Sequence, residues 1–143
     1  MQTVLFLCSG NYYRSRFAET LFNWLAPQHR LDWRAESRGF RLHPANIGSI
    51  SHHAVSGLRL RGIPITEPQR FPLVTDETDI EAADLVIAVK EAEHRPIMLT
   101  RFPAWADRIE YWHIHDLDGA EPDVALLELE GRVRALIERL RRA

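Results

Sequence analysis

An abrupt change of periodicity near the start of the chain constrains its fold more than any other feature. Thr3 to Leu7 is a short continuous apolar run, the mark of a buried strand. It stops at Cys8-Ser9-Gly10-Asn11, a cluster of turn formers. From Arg14 onward Phe17, Ala18, Leu21, Phe22 and Leu25 recur at helical spacing until Pro27, which gives an amphipathic helix with one apolar face. Strand, tight loop and helix follow one another with no room for a longer connection.

The alternation then repeats. Trp33 to Glu36 reads as a second strand, and Ser51 is placed to cap a helix carrying Ala54, Val55 and Leu58 that Gly62 closes. Thr78 to Ala83 reads as a short helix feeding Leu85 to Val89, a β-rich apolar run, and Arg108 to Ile114 is the fourth strand candidate. Pro122 suits a helix start, and Val124, Leu127, Val133, Leu136, Ile137 and Leu140 predict the apolar stripe of the last helix. Strands alternating with helices imply an α/β fold with a parallel sheet covered on both faces, whose ligands bind at the carboxyl ends of the strands. Cys8 stands at such an end. Residues 40–50 and 64–77 read as loops, and loops of that size near a strand-end site shape access to it.

With 143 residues, 45% of them hydrophobic and 27% charged, a single domain spanning 1–143 is expected. The formal charge of -2 offers no overall positive field for a polyanion, which argues against nucleic acid as a partner. The longest early apolar run, Val4 to Cys8, is far too short to span a membrane. The one cysteine excludes an internal disulfide and suits a reducing compartment, so a cytoplasmic protein is expected.

Cys8 to Ser15 places a thiol, a glycine, an asparagine and an arginine in one turn. Gly10 and Asn11 tolerate positive φ, so the backbone N–H groups of Ser9, Gly10, Asn11, Tyr12, Tyr13, Arg14 and Ser15 can converge on an anion. The following helix start favours a phosphate monoester, and favours a thiolate over a thiol. Arg14, six residues after the thiol, presents a planar fork that can take two phosphoryl oxygens. Attack by the thiolate on phosphorus would give a phosphocysteine, and a carboxylic acid must then protonate the leaving oxygen and later deprotonate water. Asp116 is the candidate, with Asp118 its rival. His113 with His115, and His52 with His53, have no further thiolate or Glu at ligand spacing, so they read as surface or loop residues and no metal or other cofactor is expected.

These residues resemble the low-molecular-weight protein tyrosine phosphatase family, whose loop reads Cys-x-Gly-Asn-x-Cys-Arg-Ser. Cys8, Gly10, Asn11, Arg14 and Ser15 match it. Ser37 and Gly39 fall on its Ser-Ala-Gly stretch, Ala83-Asp84 precedes the third strand as in relatives, and Ile114-His115-Asp116 falls on its late Asp-Pro segment. The resemblance implies a three-layer α/β/α fold with a four-stranded parallel sheet of order 2-1-3-4. It also implies catalysis by Cys8, Arg14 and Asp116, and support of the loop by Asn11 and Ser37. The substrate would be a phosphorylated protein, phosphotyrosine foremost, or a small phosphomonoester.

The sequence departs from the family at informative places. Tyr13 stands where many relatives carry a second cysteine, Arg16 and Leu117 replace prolines, and Asp118-Gly119 replaces tyrosines that follow the acid in eukaryotic members. Tyr12, Phe40, Leu42 and His43 are the residues that can supply the missing wall. Two rival readings remain. An arsenate reductase with this single thiol must use an external small thiol. A phosphate-binding module or phosphocysteine carrier would have no use for a positioned acid.

Overall fold

The computed structural model describes residues 1–116 and 119–143. The elements run β1 (Gln2–Cys8), α1 (Arg14–Gln28), β2 (Trp33–Gly39), α2 (His52–Leu60), α3 (Glu77–Ala82), β3 (Leu85–Ala88), α4 (Glu91–Arg101), β4 (Glu110–Tyr111) and α5 (Pro122–Arg142). The four strands form one parallel sheet in the order β2-β1-β3-β4. Side chains of a strand alternate between faces, and central β1 feeds two cores. Val4, Phe6 and Cys8 join Phe17, Leu21, Leu58, Leu129 and Val133 on the side of α1, α2 and α5. Leu5 and Leu7 join Ile80, Met98 and Phe102 on the side of α3 and α4. Burial on both faces explains why β1 reads as an unbroken apolar run. Among the described residues no helix is long and apolar enough to cross a membrane.

Several local expectations hold in detail. Ser51 caps α2, its Oγ accepting from His53 N at 3.2 Å. Gly62 ends the same helix at φ +71, with Gly62 N bonded to Arg59 O and Ile63 N to Leu58 O, both at 3.0 Å. That pair of bonds is a glycine-terminated stop that satisfies the Leu58 and Arg59 carbonyls of the last turn.

Two expectations need correction, and one element was not anticipated. The run Arg108 to Ile114 pairs as a strand only at Glu110–Tyr111. Past Tyr111 the regular strand ends but the chain stays bonded to the end of β3: Trp112 N donates to Ala88 O at 2.9 Å and Ile114 N to Val89 O at 2.7 Å, while Trp112 O accepts from Glu91 N at the start of α4 and His113 bridges antiparallel to Lys90. The stripe of α5 is shifted: Ala125, Leu126, Leu129, Val133, Leu136 and Ile137 are buried, while Val124 and Leu127 face outward. An i, i+3, i+7 row beginning at Leu126 outcompetes the row containing Val124 because it meets α1 and α2. Finally, α4 has no counterpart in the sequence reading, and it turns out to hold part of the site.

Candidate active site

Register places the site. Cys8, the last residue of β1, pairs with Gly39, the last of β2, and the loop after Cys8 closes over that glycine. A Cβ on Gly39 would lie 2.8 Å from Asn11 N and 2.9 Å from both Gly10 C and Ser9 O, so only glycine admits the loop. Asn11 takes the left-handed conformation at φ 51, which asparagine tolerates better than most residues. Gly10, which tolerates the same conformation, does not adopt it; among the described residues, Asn11 is the loop's one positive-φ position. α1 then starts at Arg14, and no side-chain hydrogen bond caps it at Tyr13, so the first-turn amides are left for other acceptors.

Asn11 is the hub of the loop. It is fully buried. Its Nδ2 donates to Ser15 Oγ and Ser37 Oγ, both at 2.9 Å, and its Oδ1 accepts from Arg70 Nη1 at 2.9 Å and Leu73 N at 3.1 Å. Every hydrogen-bonding capacity of the amide is thus used. Ser15 Oγ lies 2.9 Å from Cys8 Sγ, which links the hub to the sulfur. Arg70 also donates to Ser37 O at 2.9 Å and lies 3.4 Å from Glu19 Oε1. Arg16, nearly fully buried, donates to Ser49 O at 2.8 Å and Arg70 O at 2.9 Å. Both long loops are therefore tied to α1 through its first turn. Burial, reinforced by the nearby Arg70 charge, lowers the Arg16 pKa to about 10.

Arg14 is 1% exposed. Its Nη1 donates to Ile114 O at 2.9 Å and to Glu93 Oε2 at 3.4 Å; its Nη2 donates to Glu93 Oε1 at 3.2 Å and lies 3.5 Å from Asp116 Oδ2. Burial works against the charged guanidinium, but the neighbouring Cys8, Asp116 and Glu93 groups outweigh it and raise its pKa. Glu93 also accepts from Ser9 Oγ. Burial would raise the Glu93 pKa, yet the Ser9 bond and the Arg14 charge hold it below the ordinary carboxylate range. Beside it, fully buried His94 accepts from Lys90 N through Nδ1 and meets Ser9 Oγ through Nε2, both at 3.1 Å. Burial first, and the Arg14 charge second, push His94 down to about 3. The ring is therefore neutral, and its 3.7 Å approach to Glu93 Oε1 is a polar contact rather than an ion pair.

Cys8, Ser9, Gly10, Tyr12, Tyr13, Arg14 and Asp116 open together on a cleft of about 790 Å³. Its outer wall is Phe40, Leu42, His43, Pro44 and Ile97, and Tyr12 Oη, donating to Ile47 O at 2.5 Å, fixes its ring across the rim. All four wall residues expected from the sequence line it. The structure brings together every expected site residue except Asp118, which lies outside the described residues. Sequence reasoning missed Glu93, His94 and Arg70. All three act across a wide sequence separation, 79 residues for Arg14 with Glu93 and 59 for Asn11 with Arg70, and no local pattern marks such contacts.

The family pattern for "Low molecular weight phosphotyrosine protein phosphatase" matches residues 3–142. The chain belongs to this family. Among curated relatives is a protein-arginine-phosphatase of Bacillus subtilis, 33% identical over 106 residues, or 74% of this chain and 67% of that protein. A low molecular weight protein tyrosine phosphatase from T. tengcongensis superposes with a TM-score of 0.79 at 31% identity, covering 97% of this chain and 99% of that one. A mutant of the YwlE arginine phosphatase with a phosphorylated active-site serine superposes at 0.81 and 26% identity, covering 98% and 96%. Membership makes the protein a phosphatase, and the superpositions agree with its sheet order and flanking helices.

Proposed function

We propose that this low molecular weight phosphatase hydrolyses phosphotyrosine on proteins through a cysteinyl-phosphate intermediate, with Cys8 as nucleophile, Arg14 as phosphoryl clamp and Asp116 as general acid and base. One observation carries the reading: the sulfur, the guanidinium and the carboxyl open on one cleft at the loop between β1 and α1. The phosphoryl group lies on the loop amides, and the Arg14 fork takes two of its oxygens. Cys8 Sγ forms a bond to phosphorus as the bond to the leaving oxygen breaks, and Asp116 gives that oxygen its proton. A water then attacks phosphorus, Asp116 takes a proton from it, and the S–P bond breaks to release inorganic phosphate. Ser15 Oγ, 2.9 Å from the sulfur, donates to the anion that leaves in this second step.

The walls favour an aromatic ester. Tyr12, Phe40, Leu42 and Pro44 offer apolar surface to a flat ring, and Arg41 and His43 add basic character. A phosphoarginine side chain, suggested by the Bacillus subtilis relative, carries a guanidinium. Among the described lining residues only Asp116 can face it with a carboxylate. The test is turnover of matched phosphotyrosine and phosphoarginine peptides, with vanadate as inhibitor. Faster hydrolysis of the phosphotyrosine peptide is expected, and the reverse preference overturns the substrate assignment. Cys8→Ser should abolish both activities with the fold intact. Asp116→Asn should slow esters with poor leaving groups most, and an equal loss across leaving groups moves the acid elsewhere.

A further inference from the structure

The start of α4 contributes something that neither the loop chemistry nor the family pattern assigned. A guanidinium clamps a phosphoryl group only if its plane is held still, because it has to meet the transition state in one orientation. Arg14 follows a tight loop directly, and α1 alone does not fix its long side chain. Ile114 O takes one N–H, and the two carboxylate oxygens of Glu93 span the two Nη atoms at 3.2 and 3.4 Å. This end-on, two-pronged contact turns the edge formed by Nε and Nη2 toward Asp116, whose Oδ2 lies 3.5 Å from Nη2, and it is on this edge that the phosphoryl group would be met.

Glu93 is itself held. Ser9, the residue after the nucleophile, donates its hydroxyl to Glu93 Oε1. With Lys90 N–H occupying Nδ1 of neutral His94, the ring proton sits on Nε2 and is donated to Ser9 Oγ at 3.1 Å. The His94 ring in turn packs on Phe40, with centroids 5.2 Å apart. The direction of every bond is settled: Lys90 N–H to His94, His94 to Ser9, Ser9 to Glu93, with Arg14 donating to Glu93 from the other side. One helical turn thereby bolts both ends of the phosphate loop, Ser9 and Arg14, to a single carboxylate.

We propose that Glu93, locked by Ser9 and His94, is the positioning residue that holds the Arg14 fork in its phosphoryl-binding orientation. The inference rests on the role given to Arg14 above. A positioning role lowers the rate more than it weakens ground-state binding, since the loop amides still hold phosphate. Glu93→Ala should reduce kcat on an aryl phosphate by about 10- to 100-fold. KM should change by less than about threefold, while the vanadate inhibition constant rises in step with the loss in kcat/KM. Glu93→Gln keeps one acceptor oxygen and should recover part of the lost kcat.

Ser9→Ala alone should cost about two- to fivefold in kcat, yet almost nothing more in the Glu93→Ala background, because residues of one network do not add. Losses that multiply in the double variant overturn the proposal. So does a Glu93→Ala enzyme whose kcat and vanadate inhibition stay within about twofold of wild type. Should Glu93→Ala fail to fold, Glu93→Gln and Ser9→Ala carry the same comparison, and unchanged kcat in both overturns it. Wild-type turnover, with Cys8→Ser as the inactive control, separates the two failures. An inactive wild type sinks the phosphatase assignment, whereas an active wild type with an indifferent Glu93 sinks only this one.

Discussion

Replacing Asn11 is the sharpest test of how the loop is built. Its amide makes four hydrogen bonds, to Ser15, Ser37, Arg70 and Leu73, from a buried residue held at φ 51. The partners differ in what they keep when the amide is cut away. Ser15 retains Cys8, Ser37 retains Glu19, and Arg70 retains Ser37 O and Phe71 O. At about 0.5 to 1 kcal/mol net for each bond, the four together are worth about 2 to 4 kcal/mol. Alanine adds a further cost of about 1 kcal/mol for sitting in the left-handed region, a cost glycine avoids. Asn11→Ala should therefore lose about 3 to 5 kcal/mol, a large share of the 5 to 15 kcal/mol typical of such proteins. Asn11→Gly should lose about 1 kcal/mol less.

Urea melts with a shared m-value read this directly, and added phosphate, which stabilises whatever binds it, gives a second reading on the same samples. Wild type should gain stability with phosphate, and Asn11→Ala should gain much less. A loss below about 1 kcal/mol in Asn11→Ala would show that the four bonds are replaced by water at no cost. Equal losses in the Ala and Gly variants would remove the backbone part of the reasoning.

Three further outcomes follow from the same contacts. Gly39→Ala puts a methyl 2.8 to 2.9 Å from the backbone of the loop; it should fold with its loop displaced and lose phosphate-dependent stabilisation, and retained binding by calorimetry contradicts the packing argument. The Tyr13 hydroxyl is buried and has no hydrogen-bond partner among the described residues, and burial with the nearby Asp116 charge raises its pKa to about 12. Tyr13→Phe should leave stability unchanged or raise it by about 1 kcal/mol, and a clear fall in Tm counts against this. His94 titrates at about 3 in the folded protein, against 6.5 ordinarily, so between those values the unfolded chain binds the extra proton. Stability should be intact above pH 6.5 and fall toward acid by up to about 1.4 kcal/mol per pH unit. His94→Gln should flatten that slope, and an identical profile refutes the assignment.

What the sequence made legible was whatever a short window contains. β1 and α1 declare themselves through an apolar run and a helical stripe, α2 through a capping serine and a closing glycine, and Cys8, Arg14 and Ser15 lie within one turn. α4 was illegible for a physical reason. It buries only His94 and Met98 of its eleven residues and carries Pro96 inside, so neither a stripe nor a propensity signal announces it. The fourth strand is shorter than the extended look of Arg108 to Ile114 suggests, because regular pairing is limited to Glu110–Tyr111 and the residues after them bond to β3 irregularly. Ser37 and Asp116 entered through family resemblance rather than local pattern. Glu93 and Arg70 reach the loop from distant segments, and no periodicity encodes such a contact.

The locally unfavourable choices in this protein are concentrated in one place. Between Cys8 and Arg16 lie a left-handed asparagine, a buried hydroxyl with no partner among the described residues, and two arginines almost wholly removed from water. A segment like this could not hold its shape alone, since each feature costs of order 1 kcal/mol or more. It is held because three separate parts of the chain close on it: β2 through Gly39 and Ser37, the 64–77 loop through Arg70, and α4 through Glu93 and His94. The folding energy of the two apolar cores thus maintains an arrangement of amides and guanidinium that water would otherwise have to reorganise during each reaction. If Cys8 and Arg14 act as proposed, loss of one of these distant contacts slows the reaction, whereas loss of the sulfur stops it.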